Sequence, residues 1–210
     1  MDILAGLKAK LRFIERFYQT ASLAFRETIR KIEAEEDPFM PPQFDPDHDY
    51  PDPPPFFEEW EEADDSLNLV GQTAVSLAQS ALREYLDGFI RLSKQQEPAG
   101  GGNWFKRYKT FFLETYGIDW DHSPIAPDSI EEINLTRNDI HHSGREFGIE
   151  RRMSREHRGR FPRGIFAYKP ESDLYRDSNV ILPSIYVTEE NLTEAIRRVE
   201  KFCEFLDEKR

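Results

Sequence analysis

Ser129-Ile130-Glu131-Glu132-Ile133-Asn134-Leu135-Thr136-Arg137-Asn138-Asp139-Ile140-His141-His142-Ser143-Gly144 reads as one helix carrying an intruder. It follows Pro127, Ser129 and Glu132 have the spacing of a capping box, and Gly144 suits a C-terminal stop. Ile130, Ile133, Arg137 and Ile140 fall at alternating three- and four-residue steps, the period of one buried helical stripe. A guanidinium therefore stands where an apolar side chain is expected. Arginine is rarely buried without a partner, so position 137 demands an ion pair or a function.

Working outward, the same period recurs on both sides. Leu4, Leu7, Leu11, Ile14, Tyr18, Ala21, Phe25, Ile29 and Ile32 predict a first helix over about 2–36. Val70, Ala74, Leu77, Ala81, Tyr85 and Phe89 predict a second over about 62–96, stopped by Pro98 and the run Gly100-Gly101-Gly102. Trp104, Tyr108, Phe111 and Phe112 mark a third over about 103–116, ending at Gly117. Thr188 caps a last helix whose face is Leu192, Ala195, Val199, Phe202 and Leu206. The expectation is an all-α fold: an antiparallel bundle of about five helices in a single 1–210 domain.

Two segments interrupt the helical pattern. Residues 37–61 form an acidic, proline-rich loop with Asp37-Pro38, Asp45-Pro46 and Asp52-Pro53-Pro54-Pro55, which removes backbone donors. Asp45, Asp47 and Asp49 alternate, but Pro46 and the missing glycine and distal glutamate spoil a calcium loop, so no metal is expected there. Residues 145–187 form an irregular basic insertion, in which Ile165-Phe166-Ala167-Tyr168 and Ile185-Tyr186-Val187 suit two short strands of a small β-hairpin.

The 210 residues carry a net charge of −12, unevenly distributed. No Lys or Arg lies between Ile32 and Leu82, whereas Arg145, Arg151, Arg152, Arg155, Arg158, Arg160 and Arg163 crowd one stretch. The overall charge opposes general attraction to nucleic acid; the cluster permits a local one. With 16 Phe the chain is too aromatic to be disordered. The lone Cys203 cannot form an internal disulfide and reads as helix core, which fits a reducing compartment. No apolar run nears the ~18 residues of a membrane span, and Lys8, Lys10 and Arg12 break any signal-peptide core. A cytoplasmic protein without a membrane partner is expected.

The run from Leu135 to Gly144 resembles the HEPN superfamily, helical-bundle proteins marked by Arg, usually a polar residue, then His after four to six intervening positions. Arg137, Asn138 and His142 match this pattern. Arg151 and Arg152 also precede His157 at permitted spacings, but they lie in a polar stretch without apolar periodicity, so context selects Arg137 and His142. The resemblance implies an endoribonuclease that needs no metal or cofactor, acting on RNA such as tRNA or mRNA in a toxin or host-defence setting. It also implies a homodimer with a composite site, and a neutralising or regulatory protein as a further partner. HEPN toxins paired with a minimal nucleotidyltransferase carry a tyrosine two positions after the histidine; Gly144 stands here instead, which speaks against that regulation.

The residue types suit the reaction. Histidine near its ordinary pKa of ~6.5 exchanges a proton at neutral pH, so His142 can take the 2′-hydroxyl proton or protonate the leaving oxygen. Arg137 presents a permanent planar charge to the scissile phosphate, and Asn138 orients either group. His141 and Asp139 are supporting residues. Arg145, Arg151, Arg152, Arg155 and Arg158, interleaved with Phe147, Phe161, Phe166 and Tyr168, suit a surface that grips RNA backbone and stacks bases. They suit pairing with the chain's own excess carboxylates equally well. Positions five apart diverge by roughly 140° around a regular helix, so Arg137 and His142 meet either where the helix ends or across a two-fold axis. The alternative function is a HEPN-like module that binds RNA or protein without cleaving.

Overall fold

The computed structural model describes residues 2–41, 54–96, 98, 103–142, 152–162, 164–166 and 184–210. These hold α1 (Ile3–Glu33), α2 (Phe57–Leu92), α3 (Trp104–Tyr116), a 3-10 turn (Trp120–His122), α4 (Pro127–His142), α5 (Arg155–Arg160) and α6 (Glu189–Glu208). Among the described residues no strand forms, and the fold is all-α. No helix is long and apolar enough to cross a membrane.

Asp2 accepts from Ala5 N to cap α1, and Leu7, Leu11, Ile14 and Tyr18 bury its stripe against α2. The two helices are antiparallel: Ile3 lies beside Gly88, Lys10 pairs with Glu84, and Trp60 Nε1 donates to Glu33 near the far end of α1. Beyond Tyr18 the stripe opens, with Phe25, Ile29 and Ile32 only half-buried. α6 also runs opposite to α1, since Lys8 meets Glu200 and Glu204 while Arg26 meets Glu189. α2 packs against α1, α4 and α6, which explains why it buries Val75, Ala78, Leu82, Leu86 and Ile90 as well as the expected stripe. Leu77, assigned to that stripe, is 40% exposed.

Several boundaries move. α2 begins at Phe57, within the expected 37–61 loop, because Glu58 and Glu59 suit the positive end of a helix dipole. It ends at Leu92, short of 96. α4 begins at Pro127, whose fixed φ and missing N–H suit a first helical position. The Glu132 carboxylate, expected to cap this helix, instead accepts from Ile165 N at 2.5 Å. The basic insertion is not wholly irregular either, because Ser154 caps α5 by accepting from His157 N.

The expected hairpin falls partly outside the described residues, which exclude Ala167 and Tyr168. Within them, Arg152 and Ser184 form an isolated antiparallel bridge and Tyr186 N donates to Phe166 O at 3.0 Å. The strand-like alternation of Ile185-Tyr186-Val187 has a different partner. Asn68 of α2 donates to Ile185 O and accepts from Val187 N, each at 3.1 Å, so one side chain does a neighbouring strand's work. Gly71 makes this approach feasible, since a Cβ there would stand 2.5 Å from Val187 Cβ.

α3 and the 3-10 turn close one side of the core with rings. Trp120 is fully buried and touches Phe105, Phe112 and Phe202 at centroid distances of 5.3, 5.5 and 4.9 Å. Gly117 ends α3 at φ +68°, the left-handed geometry that glycine accepts most readily.

Candidate active site on the fourth helix

α4 is buried on nearly every side from Ile130 to Thr136, and its buried residues include Glu131, Glu132, Asn134 and Asp139. Asn134 Oδ1 accepts from Gln79 of α2 at 3.3 Å and from Trp104 of α3. The carboxylates serve another purpose. Glu131, also bonded by Asn103, takes the Arg160 guanidinium as a fork. Glu132 receives Ile165 N. Asp139 Oδ2 receives Ser154 N at 2.9 Å and lies 2.8 Å from His157 Nδ1.

Three acids of α4 thus fasten the described segment 152–166. Glu132 and Asp139, seven residues apart, lie within about 20° of each other around the helix. Their environments differ. Burial raises the Glu132 carboxyl above its ordinary pKa. Burial also pushes Glu131 upward, but the bonds from Arg160 and Asn103 outweigh it and hold that carboxyl below the usual range. A Cβ at Gly164 would clash with Glu132 Oε1, so a larger residue there would require that carboxylate to shift.

The expected site residues divide by face. Arg137 and Asn138 are half-buried, with Arg137 Nη1 donating to Asn138 Oδ1 at 3.3 Å. Arg137 Nε is buried and has no hydrogen-bond partner among the described residues. His141 and His142 are exposed at the end of α4. Burial first, then the charges of Arg137 and His142, lower the His141 pKa. Helical geometry continues through His142, so Arg137 and His142 remain roughly 140° apart on one regular helix, whereas His141 lies about 40° from Arg137.

Asp139, expected as a support for this pair, lies about 160° from Arg137 around the helix and engages α5. Arg152 and Arg155 are exposed and Arg158 is half-buried. Arg145 and Arg151 lie outside the described residues, as do Arg163 and residues 42–53 of the acidic loop. Of the cluster, Arg160 pairs with the chain's own Glu131.

Glu131, Glu132 and His157 were not anticipated. His157 is fully buried, T-shaped against Phe161 with ring centroids 5.9 Å apart, and its Nε2 is unpartnered among the described residues. The available signal was the seven-residue spacing of Glu132 and Asp139, an acidic stripe matched by a basic segment later in the chain. No protein-family model matches the chain, nor does any curated protein or solved structure.

Proposed function

We propose that the chain is a metal-independent endoribonuclease of HEPN type, cytoplasmic and active as a homodimer, in a toxin or host-defence setting with a neutralising or regulatory partner. The observation that carries this reading is Arg137. Its guanidinium is half-buried and its buried Nε has no hydrogen-bond partner among the described residues, a cost on the order of 1–3 kcal/mol that a bound phosphate would offset. Asn138 orients one arm of its fork, and two exposed histidines follow on the same helix.

In the reaction, a histidine takes the proton of the ribose 2′-hydroxyl as that oxygen attacks the adjacent phosphorus. The bond from phosphorus to the 5′-oxygen breaks, and a second protonated histidine supplies the leaving oxygen's proton. The products are a cyclic phosphate and a 5′-hydroxyl. Arg137 neutralises charge gathering on the phosphate oxygens. His142 is the proton carrier and His141 its hydrogen-bonding neighbour. The divergence of His142 from Arg137 supports completion of the site by a second copy related by a two-fold axis.

Purified protein incubated with tRNA and mRNA in EDTA should cleave, and Arg137→Ala and His142→Ala should each lower the rate by about 10²-fold or more. Cleavage that is absent, or equal in the variants, removes the enzyme and leaves a binding module.

A further inference from the structure

α5 is a six-residue helix, too short to hold its own shape in water. Its orientation is imposed by α4 at two points. At one end Ser154 N and the His157 imidazole converge on Asp139 Oδ2, while Ser154 Oγ accepts from His157 N at 3.2 Å. At the other, Arg160 is forked onto Glu131. Asp139 is 6% exposed and His157 0%.

The nitrogen-bearing side chains of α5 divide accordingly. His157 and Arg160, three residues apart, share the face turned to α4. Arg155 and Arg158, also three apart, share the other, and neither side chain forms a hydrogen bond or ion pair among the described residues. Around α4, His142 lies about 60° from Asp139, whereas Arg137 lies about 160° away. The basic helix therefore stands on the His142 side.

We infer that Asp139 and His157 are positioning residues, a buried latch that fixes α5 so that Arg155 and Arg158 meet RNA phosphates beside His142. A buried hydrogen-bonded polar pair is a weak source of stability, since apolar side chains of similar volume serve as well. What this one supplies is a fixed geometry for two guanidinium forks, the group best shaped for phosphate. The inference rests on the RNA-directed reading above and extends it to two residues outside the reacting cluster.

The test measures binding of a 2′-O-methyl oligoribonucleotide, which lacks the attacking hydroxyl, in EDTA across a salt series. Each phosphate contact on a single strand contributes roughly 0.7 to the slope of log affinity against log salt, so Arg155→Ala with Arg158→Ala should lower it by about 1.4. His157→Phe should produce the same loss although it removes neither arginine. Combined with the arginine changes it should add nothing further. His157→Asn, whose Nδ2 replaces the imidazole donor to Asp139, should restore the slope.

A His157→Phe slope equal to wild type, or a loss that adds fully to that of the arginines, overturns the latch. If His157→Phe does not fold, Asp139→Asn makes the same comparison, keeping an oxygen for Ser154 N, and an unchanged slope there is equally fatal. Binding that depends on His157 without cleavage of ordinary RNA removes only the nuclease. Cleavage with a slope indifferent to His157 removes only the latch. Wild-type protein that does not bind the probe removes the latch together with the RNA surface.

Discussion

The α1–α2 pair and the α4–α5 pair are both helix on helix, yet different forces join them. Along α1 and α2 the contact is apolar, and the charges, such as Arg30 with Glu27 and Glu36, stand at the exposed margin where ion pairs add little. Between α4 and residues 152–162 and 164–166 the contact includes three buried acids, Asp139 taking two donors, Glu131 a guanidinium fork and Glu132 a backbone N–H. Area tolerates imperfect geometry; a hydrogen-bonded carboxylate does not. The first contact should therefore fail only when the whole domain unfolds, while the second can release alone.

The strongest blow to this distinction should come from the first region. Leu86, fully buried on α2, should cost about 2–5 kcal/mol when replaced by Ala, seen as a shift of the entire denaturant transition. A transition that splits in two would show that α2 does not unite the fold.

Glu131→Gln should cost less, about 1–3 kcal/mol, because the partner Arg160 side chain is 32% exposed and screened by water. Amide exchange should accelerate in 154–166 before it does in α1 or α2. The pH dependence has a definite sign. Glu131 has its folded pKa below the unfolded value, so its stabilisation is complete above that unfolded value, ~4.3, and disappears as pH falls through the folded one. Wild type and Glu131→Gln should differ fully at neutral pH and converge in acid; a gap that widened in acid would contradict the assignment.

Asp2→Ala should matter least, about 1 kcal/mol from one lost helix cap, with exchange rising only in the first turn of α1. A loss exceeding that of Glu131→Gln would invert the ranking of the two contacts.

Legibility in the sequence follows the same division. α1, α3 and α6 announce themselves because a packed helix writes its burial into apolar spacing, and the Thr188 cap of α6 is readable too, whereas the Asn103 cap of α3 went unread. The start of α2 hides behind Pro53-Pro54-Pro55. The face of α4 is illegible to the same method: Glu132 reads as a helix cap and Asp139 as a support for the site until Ile165 and His157, far along the chain, arrive to meet them. Strand propensity at Ile185-Tyr186-Val187 correctly indicates extended, alternately buried chain, but cannot reveal that Asn68 is its partner. Within the candidate site, Arg137 was conspicuous as an interruption of an apolar stripe. The direction of Asp139 depends on three-dimensional placement, and the residue next to a reacting group can serve the opposite side of its helix.

The chain also contains its own clock. Cys203 is the sole cysteine, lies wholly inside α6, and its backbone carbonyl receives the Tyr85 hydroxyl of α2 at 3.0 Å. Burial, with nearby Glu204 and Asp207, drives its thiol well above the ordinary pKa, leaving little reactive thiolate in the folded protein. Alkylation can therefore proceed only as fast as α2 and α6 part, and it is indifferent to anything that swings on α4. A single chemical label thus times the opening of the whole molecule without hearing the loosening of its basic arm.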